Sequence, residues 1–166
     1  MTTGQKVREE QITLRPVAEA DDNFLLSVYS STRADEMAFV PWSAEQKEAF
    51  IRMQYTAQKE YYRKEFPQAV HEIICLDGSP IGRLYVERRP NALHILDITV
   101  LPQHRGQGAG SLLLCKLLHD AIQVRVPVTI YVESFNPSLR LFERLGFQKD
   151  REDGFQLLMK YQPPSQ

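Results

Sequence analysis

The stretch from Asp97 to Leu114 constrains the fold of this chain more than any other part of the sequence. It reads as an apolar strand, a turn at Pro102, a loop with closely spaced glycines and the start of a helix. Glycines leave backbone N–H groups uncovered where the helix begins, and the helix dipole favours an anion there. Because Arg105 adds a positive charge, the stretch predicts a binding loop for a phosphorylated cofactor. The helix has one apolar side, formed by Leu113, Leu114, Leu117, Leu118 and Ala121.

Length and composition favour a single soluble domain over residues 1–166. The net charge of −1 argues against nucleic acid or an anionic membrane surface as a partner, since both require an excess of basic residues. The first residues are polar, unlike a secretory signal, and no apolar run is long enough to span a bilayer. Cys75 and Cys115 stand in apolar runs and are expected to be buried free thiols rather than a bridge, which suits a cytoplasmic protein.

Turn and capping signals divide the chain into elements in the order βααβββαβαββ. The segment from Ser31 to Trp42 has no clear periodicity and is expected to be a loop. Ser43 and Gln46 then form a capping box that opens a long helix. Asn136-Pro137 has the form of a later helix N-terminus, with Leu145-Gly146 as its stop. This order predicts an α+β fold of three layers (α/β/α) around a mixed, mostly antiparallel sheet of about seven strands.

Two motifs carry a family resemblance. The sequence from Arg105 to Gly110 is Arg-Gly-Gln-Gly-Ala-Gly, and the segment from Asn136 to Phe147 ends in Leu-Gly-Phe. The first fits the Arg/Gln-x-x-Gly-x-Gly/Ala signature of the GNAT superfamily of acyl-CoA N-acyltransferases, and the second resembles the late helix and strand of that family. The motifs lie within residues 93–147, and the element order agrees along nearly the whole chain. The resemblance implies a single N-acetyltransferase domain whose sheet is splayed at its centre.

The resemblance also implies where acetyl-CoA lies, as the acyl donor and with no metal. The strand 94–101 diverges from the strand 126–132, and the pantetheine arm occupies the wedge between them. The implied cofactor-binding residues are Ile98, Thr99, Val100, Arg105, Gly106, Gln107, Gly108, Ala109, Gly110, Ser111, Asn136, Ser138 and Phe142.

The implied reaction is the direct attack of a neutral primary amine on the thioester in a ternary complex. It requires a base, an N–H group that holds the oxyanion, and an exit for the thiolate. The backbone N–H of Val100 is the candidate oxyanion donor. Three residues remain open as the base, either directly or through water: His94, Asp97 and Glu133. Strand alternation places His94 on one face of its strand and Asp97 on the other.

One position departs from the family pattern. Many members carry tyrosine, the usual proton donor to the thiolate, where this chain has Phe142. The donor is therefore Tyr131, Tyr85 or water, or the thiolate leaves unaided, as a thiol pKa near ~8.5 permits.

The acceptor side of the cleft is expected around Arg33, Glu36 and Trp42, which precede the long helix. The expected acceptor is the amine of a small molecule or, alternatively, of a protein, and the chain is expected to be a monomer or a homodimer.

Two other functions stay open. Phe142 fits an acyl-CoA-binding regulatory module without catalysis. The glycine spacing, with Glu133 after the next strand, also approaches a dinucleotide-binding fingerprint, although Ser111 stands at its third glycine position.

Overall fold

A computed structural model describes residues 5–165. The strands and helices follow the predicted order, and their bounds are β1 Ile12–Pro16, α1 Asp22–Ala38, α2 Ala44–Glu65, β2 Val70–Leu76, β3 Ser79–Arg89, β4 Ala92–Val100, α3 Ala109–Val124, β5 Val128–Glu133, α4 Leu139–Arg144, β6 Gln148–Asp153 and β7 Gln156–Tyr161. The α+β prediction and its element order are confirmed.

The seven strands form one mixed sheet in the order β1-β2-β3-β4-β5-β7-β6. All neighbouring strands are antiparallel except β4 and β5, which are parallel. These two strands pair over only three positions, from Leu93 opposite Val128 to Ile95 opposite Ile130. Beyond Ile95 they separate, so the sheet is splayed at its centre, as predicted.

Helices cover the two faces of the sheet unequally. On one face, buried residues of α3 and α4 pack with β3, β4, β5 and β7 in the larger apolar core. On the other face, α1 and α2 pack against β2 through a smaller core that includes Leu25, Ile51 and Ile73. The two cores make the three layers that the sequence predicted.

The prediction of a loop from Ser31 to Trp42 is wrong, because α1 continues to Ala38. The buried side chains of α1 belong to its first half, so the apolar periodicity stops before the helix does. The second half contains good helix formers, and Arg33 pairs with Glu36 one turn later. By contrast, the capping box at Ser43 and Gln46 is confirmed, with both reciprocal hydrogen bonds present.

Gly82 sets the spacing of β3 and β4 beside the split. A Cβ atom at this position would lie 2.1 Å from the backbone oxygen of Thr99. Replacing Gly82 with alanine should therefore push the two strands apart and lower the free energy of unfolding by about 2 to 3 kcal/mol. Urea denaturation measures the change. Gly110→Ala is the matched control: a Cβ there meets no atom of residues 5–165 within 4 Å, so this variant should not lower the unfolding midpoint. An unchanged unfolding midpoint for Gly82→Ala would contradict the prediction.

Candidate active site

The split between β4 and β5 exposes backbone groups of β4. The Leu101 N–H donates to the Ile81 carbonyl at 2.8 Å, which makes this facing pair hydrogen-bonded. Facing pairs in antiparallel strands alternate between bonded and non-bonded. Val100 faces Gly82 and Ile98 faces Leu84 in the non-bonded pairs, so their N–H and C=O groups point away from β3 and towards the split.

Thr99 occupies the alternate position. Its backbone pairs with Arg83 of β3, and its hydroxyl donates to Asp97 at 2.8 Å. Of the three strand residues predicted to bind the cofactor, the structure therefore turns the backbone of Ile98 and Val100 towards the split, and not that of Thr99.

The glycine loop presents a row of backbone N–H groups. Gly106 and Gly108 have φ angles of +75° and +95°, which favour glycine, and Gly108 is the N-cap of α3. The Leu112 N–H donates to Gly108, and no backbone acceptor within residues 5–165 is bonded to the N–H groups of 106–111. Gly110 has neither a positive φ nor a close neighbour. Nothing in the described fold requires a glycine there, so the open space above it is available to a ligand.

Arg105 links this loop to the split. Its side-chain Nε donates to the Val100 carbonyl at 2.8 Å. The bond holds the guanidinium at the end of β4, beside the free amides of the loop. Gln107 and Ala109 contribute amides to the same row, and Ser111 stands in the first turn of α3.

A bulge in β4 overturns the predicted strand faces. Tyr85 of β3 faces Asp97, whereas the next residue, Val86, faces Ile95, so Leu96 is the extra residue. A bulge shifts the alternation by one position. His94 and Asp97 therefore lie on the same face, towards α2, and not on opposite faces. The Leu96 carbonyl accepts a hydrogen bond from the Tyr62 hydroxyl at 3.3 Å.

His94 is buried at the point where the split begins. Its Nδ1 lies 2.8 Å from the Thr129 hydroxyl, while Phe66 stacks on one side of the ring and the Tyr131 ring lies edge-on at 6.0 Å. Burial lowers the pKa of His94 below its usual 6.5, and the charge of Arg89 acts in the same direction. The imidazole is consequently neutral at pH 7.

Asp97 is engaged in a buried ion pair. Its Oδ2 accepts from Arg83 Nε at 2.6 Å, and its Oδ1 accepts from the Thr99 hydroxyl. Arg83 is 4% exposed and also donates to Gln58. Because both oxygens already accept charge-assisted or hydroxyl hydrogen bonds, this carboxylate is poorly placed to take a proton from an amine.

Glu133 and Tyr131 each bind an arginine from a distant element. Glu133 lies 3.5 Å from Arg33 of α1, and the Tyr131 hydroxyl accepts from Arg151 of β6 at 2.7 Å. Arg33 also pairs with Glu36. The predicted acceptor residues Arg33 and Glu36 thus come together with the predicted catalytic residue Glu133.

Trp42, the third predicted acceptor residue, is not joined to this group. It lies between α1 and α2, 44% exposed, with its ring edge-on to Phe50 at 5.3 Å.

The helix α4 begins two residues later than the sequence predicts. The N-cap is Ser138 rather than Asn136, and α4 begins at Leu139. Asn136 nevertheless accepts a hydrogen bond from the Ser138 N–H through its side-chain oxygen at 2.9 Å, so it orders the turn before the helix. Pro137 has no N–H to donate, which fits this turn. The predicted stop at Gly146 is confirmed by its φ of +100° and by the Phe147 N–H bonded to Phe142.

Phe142 is part of the larger core. It is 3% exposed and packs edge-on against Phe147 at 5.4 Å. Its role in this structure is packing, and a contact with the cofactor stays a prediction.

A second, half-buried histidine, His71, gives a test of stability against pH. Its ring stacks on Tyr85 at 4.1 Å, and its buried Nε2 has no hydrogen-bond partner among residues 5–165. Burial, followed by the charge of Arg83, lowers its pKa to about 4. The unfolded chain therefore binds a proton near pH 6.5 that the folded chain binds only near pH 4, so acidification through this range favours unfolding.

Replacing His71 with phenylalanine should reduce that acid sensitivity. Between pH 7 and pH 5 the variant is expected to lose about 1 kcal/mol less stability than the wild type. Urea denaturation at the two pH values checks this. His119→Phe is the control because its site is exposed on α3. Equal losses in the wild type and in His71→Phe would contradict the account.

Sequence reasoning missed three site residues: Thr129, Arg83 and Arg151. Their contacts join different strands: Thr129 with His94, Arg83 with Asp97 and Arg151 with Tyr131. For Arg83 the available signal was a charged residue inside a strand otherwise rich in apolar residues, which indicates a partner but does not identify it. Thr129 and Arg151 carried no such signal.

A split between two parallel strands, followed by a glycine loop with free amides at a helix N-terminus, defines the architecture of an acyl-CoA-dependent acyltransferase. Residues 30–147 match the acetyltransferase (GNAT) family. The chain therefore belongs to this family, and the prediction of an acetyltransferase is confirmed.

Solved structures of this fold cover nearly the whole chain. The PaiA N-acetyltransferase from Thermoplasma acidophilum, solved in complex with coenzyme A, is 19% identical with a TM-score of 0.69, over 91% of this chain and 98% of that one. A GNAT family acetyltransferase from Elizabethkingia anophelis with acetyl-CoA bound is 15% identical with a TM-score of 0.61, over 93% and 99%. Comparison with curated proteins gives no significant match.

Within residues 5–165, no three His, Cys, Asp or Glu side chains are grouped so that they could hold a metal ion. None of the helices in the same range is long and apolar enough to cross a bilayer.

Proposed function

We propose that this protein transfers the acetyl group of acetyl-CoA to the primary amine of a small molecule, by direct attack in a ternary complex. The observation that carries the proposal is the row of free amides at 106–111 next to the free backbone groups of Ile98 and Val100. Together they offer a phosphate site and an extended docking edge on one continuous path.

The residues present fit coenzyme A. The amides from Gly106 to Ser111 bind the pyrophosphate, and Arg105 adds a charge held at the end of β4. The open space over Gly110 admits the phosphate oxygens at close range. The Val100 carbonyl is already bonded to Arg105, so the Ile98 C=O and the Val100 N–H bind the pantetheine amides as a neighbouring strand would. Bound acetyl-CoA supplies a reactive thioester.

His94 is the proposed base. With Nδ1–H donating to the Thr129 hydroxyl, Nε2 carries the lone pair that accepts a proton from the amine. Burial keeps the ring neutral at pH 7 and therefore able to act. Asp97 is already bonded to Arg83 and Thr99, so we assign it a structural role.

The Val100 N–H predicted for the oxyanion lies six residues along β4 from His94, about 20 Å in an extended strand, so it is too far from this base. The Ile98 N–H also points into the split and lies nearer to His94, and we assign to it the negative charge that develops on the thioester oxygen. For the departing thiolate, Tyr131 is the proposed proton donor. Arg151 donates to its oxygen, which leaves the phenol proton free. Glu133, paired with Arg33 at the end of β5, supplies negative charge that attracts the ammonium form of the acceptor.

The test is incubation with acetyl-CoA and a panel of primary amines while released CoA thiol is measured. Acceptor-dependent release supports the proposal. A protein that is neither stabilised by CoA nor able to release thiol with any amine would contradict it.

Phe142 favours a second candidate, an acyl-CoA-binding module without catalysis. That candidate predicts thermal stabilisation by CoA and no transfer. Phe142→Tyr discriminates further: because the ring is buried against Phe147, a hydroxyl there is expected to lower stability by about 1 to 3 kcal/mol without raising the rate. A gain in rate would show that this position can reach the thiolate.

A further inference from the structure

Arg151 faces the same side of the sheet as the proposed catalytic residues. Tyr131 of β5, Leu158 of β7 and Arg151 of β6 lie in one row across the sheet. A bulge in β6 makes Asp150 the extra residue, because Lys149 faces Met159 whereas Arg151 faces Leu158. Without the bulge, Arg151 would point to the opposite face, where Lys149 bonds Glu152.

The charge of Arg151 is not neutralised by a carboxylate. Within residues 5–165 its recorded partner is the neutral hydroxyl of Tyr131, and no acidic side chain lies within ion-pair distance. The arginines around His94 and Glu133 each have a carboxylate partner: Arg83 pairs with Asp97, Arg89 with Glu87, and Arg33 with both Glu36 and Glu133. Guanidinium has five N–H donors in a planar fork, so Arg151 retains donors for a carboxylate.

The distance from this charge to the proposed base is short. The Tyr131 hydroxyl is 2.7 Å from Arg151, and the ring of Tyr131 is 6.0 Å from the ring of His94. One tyrosine side chain thus separates the group that takes the amine proton from an unpaired positive charge. A single small molecule can place an amine at one and a carboxylate at the other.

We propose that the acceptor is an amino acid, with its carboxylate bound by Arg151 and its amine beside Nε2 of His94. This inference rests on the proposed function. Glu133 lies two residues beyond Tyr131 on the same strand face, about 7 Å along β5 on the side away from His94, so its charge attracts an ammonium group to the cleft but does not set the orientation of the acceptor. Arg151 fixes the carboxylate end, and the amine end is then directed towards His94.

The same arrangement disfavours other amines. A polyamine would bring a second ammonium group near the guanidinium of Arg151, and like charges there raise the free energy of binding. An amino-acid amide has the same shape as the acid but lacks the negative charge. It is consequently the matched acceptor that isolates the contribution of Arg151.

The experiment compares kcat/KM for amino acids, their amides and the corresponding decarboxylated amines, in the wild type, Arg151→Gln and Lys149→Gln. A charge-assisted hydrogen bond supports a preference of about 10- to 100-fold for the acid over its amide in the wild type. Arg151→Gln is expected to raise KM for the acid and to bring this ratio close to one. Lys149→Gln, on the opposite face, should retain the wild-type ratio.

The outcomes separate the two proposals. CoA-dependent thermal stabilisation shows that each variant folds and binds the donor. Equal or better use of amides and amines by the wild type, or equal loss on acid and amide in Arg151→Gln, would overturn the amino-acid inference and leave the acetyltransferase intact. No transfer to any acceptor would overturn the proposed function and this inference with it.

Discussion

Replacing His94 with glutamine is expected to lower kcat for amine acetylation by about 10²- to 10⁴-fold, the usual contribution of a positioned general base. Glutamine is similar in length and can still bond the Thr129 hydroxyl, but it cannot accept a proton from an ammonium group. The dissociation constant for CoA should remain unchanged because the glycine loop is untouched. Steady-state kinetics and calorimetric titration with CoA measure the two quantities.

The pH profile shows whether the loss comes from proton transfer. The pKa of His94 lies below 6.5, and only the neutral ring can act as a base. The wild-type rate should therefore include an acidic limb below pH 6.5, on which activity falls as His94 becomes protonated, and the glutamine variant should lack it. Thr129→Val is the companion variant: it removes the hydroxyl that holds the ring and should lower kcat less. A glutamine variant with wild-type kcat would eliminate His94 as the base.

Replacing Gly110 with leucine is expected to weaken acetyl-CoA binding by about 10- to 100-fold while stabilising the fold. Among residues 5–165, a Cβ at this position meets no atom within 4 Å, and Gly110 lies in the first turn of α3 with an ordinary φ. Leucine is favoured over glycine in a helix by up to about 1 kcal/mol, so the unfolding midpoint should rise. The branched side chain occupies the space in which the phosphate oxygens approach the amides, so KM for acetyl-CoA should rise; Gly110→Ala, which the family signature admits, should bind acetyl-CoA like the wild type.

Opposite changes in stability and binding distinguish a ligand effect from a folding defect. Gln123→Ala, at the exposed end of the same helix, should change neither KM nor the melting temperature by much. If Gly110→Leu binds acetyl-CoA as tightly as the wild type, the phosphates do not lie over this glycine.

Features governed by neighbouring residues in the chain could be predicted from the sequence. The capping box at Ser43 and the helix stop at Gly146 each depend on a few adjacent side chains. The order of strands and helices followed from such signals.

Features governed by pairing across strands could not be predicted. The bulge at Leu96 arises from the register of β3 against β4, and the residues around Leu96 do not predict it. Regular alternation along β4, without the bulge, predicts that His94 and Asp97 lie on opposite faces of the strand. The arginine partners of Asp97, Glu133 and Tyr131 come from three different elements, so their contacts appear only in the folded chain.

The central claim is that the free amides after Arg105 bind the pyrophosphate of coenzyme A and that the pantetheine lies in the split between β4 and β5. Amide hydrogen exchange with and without CoA tests it most directly. The account predicts that CoA slows exchange at the amides of 106–111 and of Ile98 and Val100. Binding of CoA that leaves exchange at these amides unchanged would contradict the account.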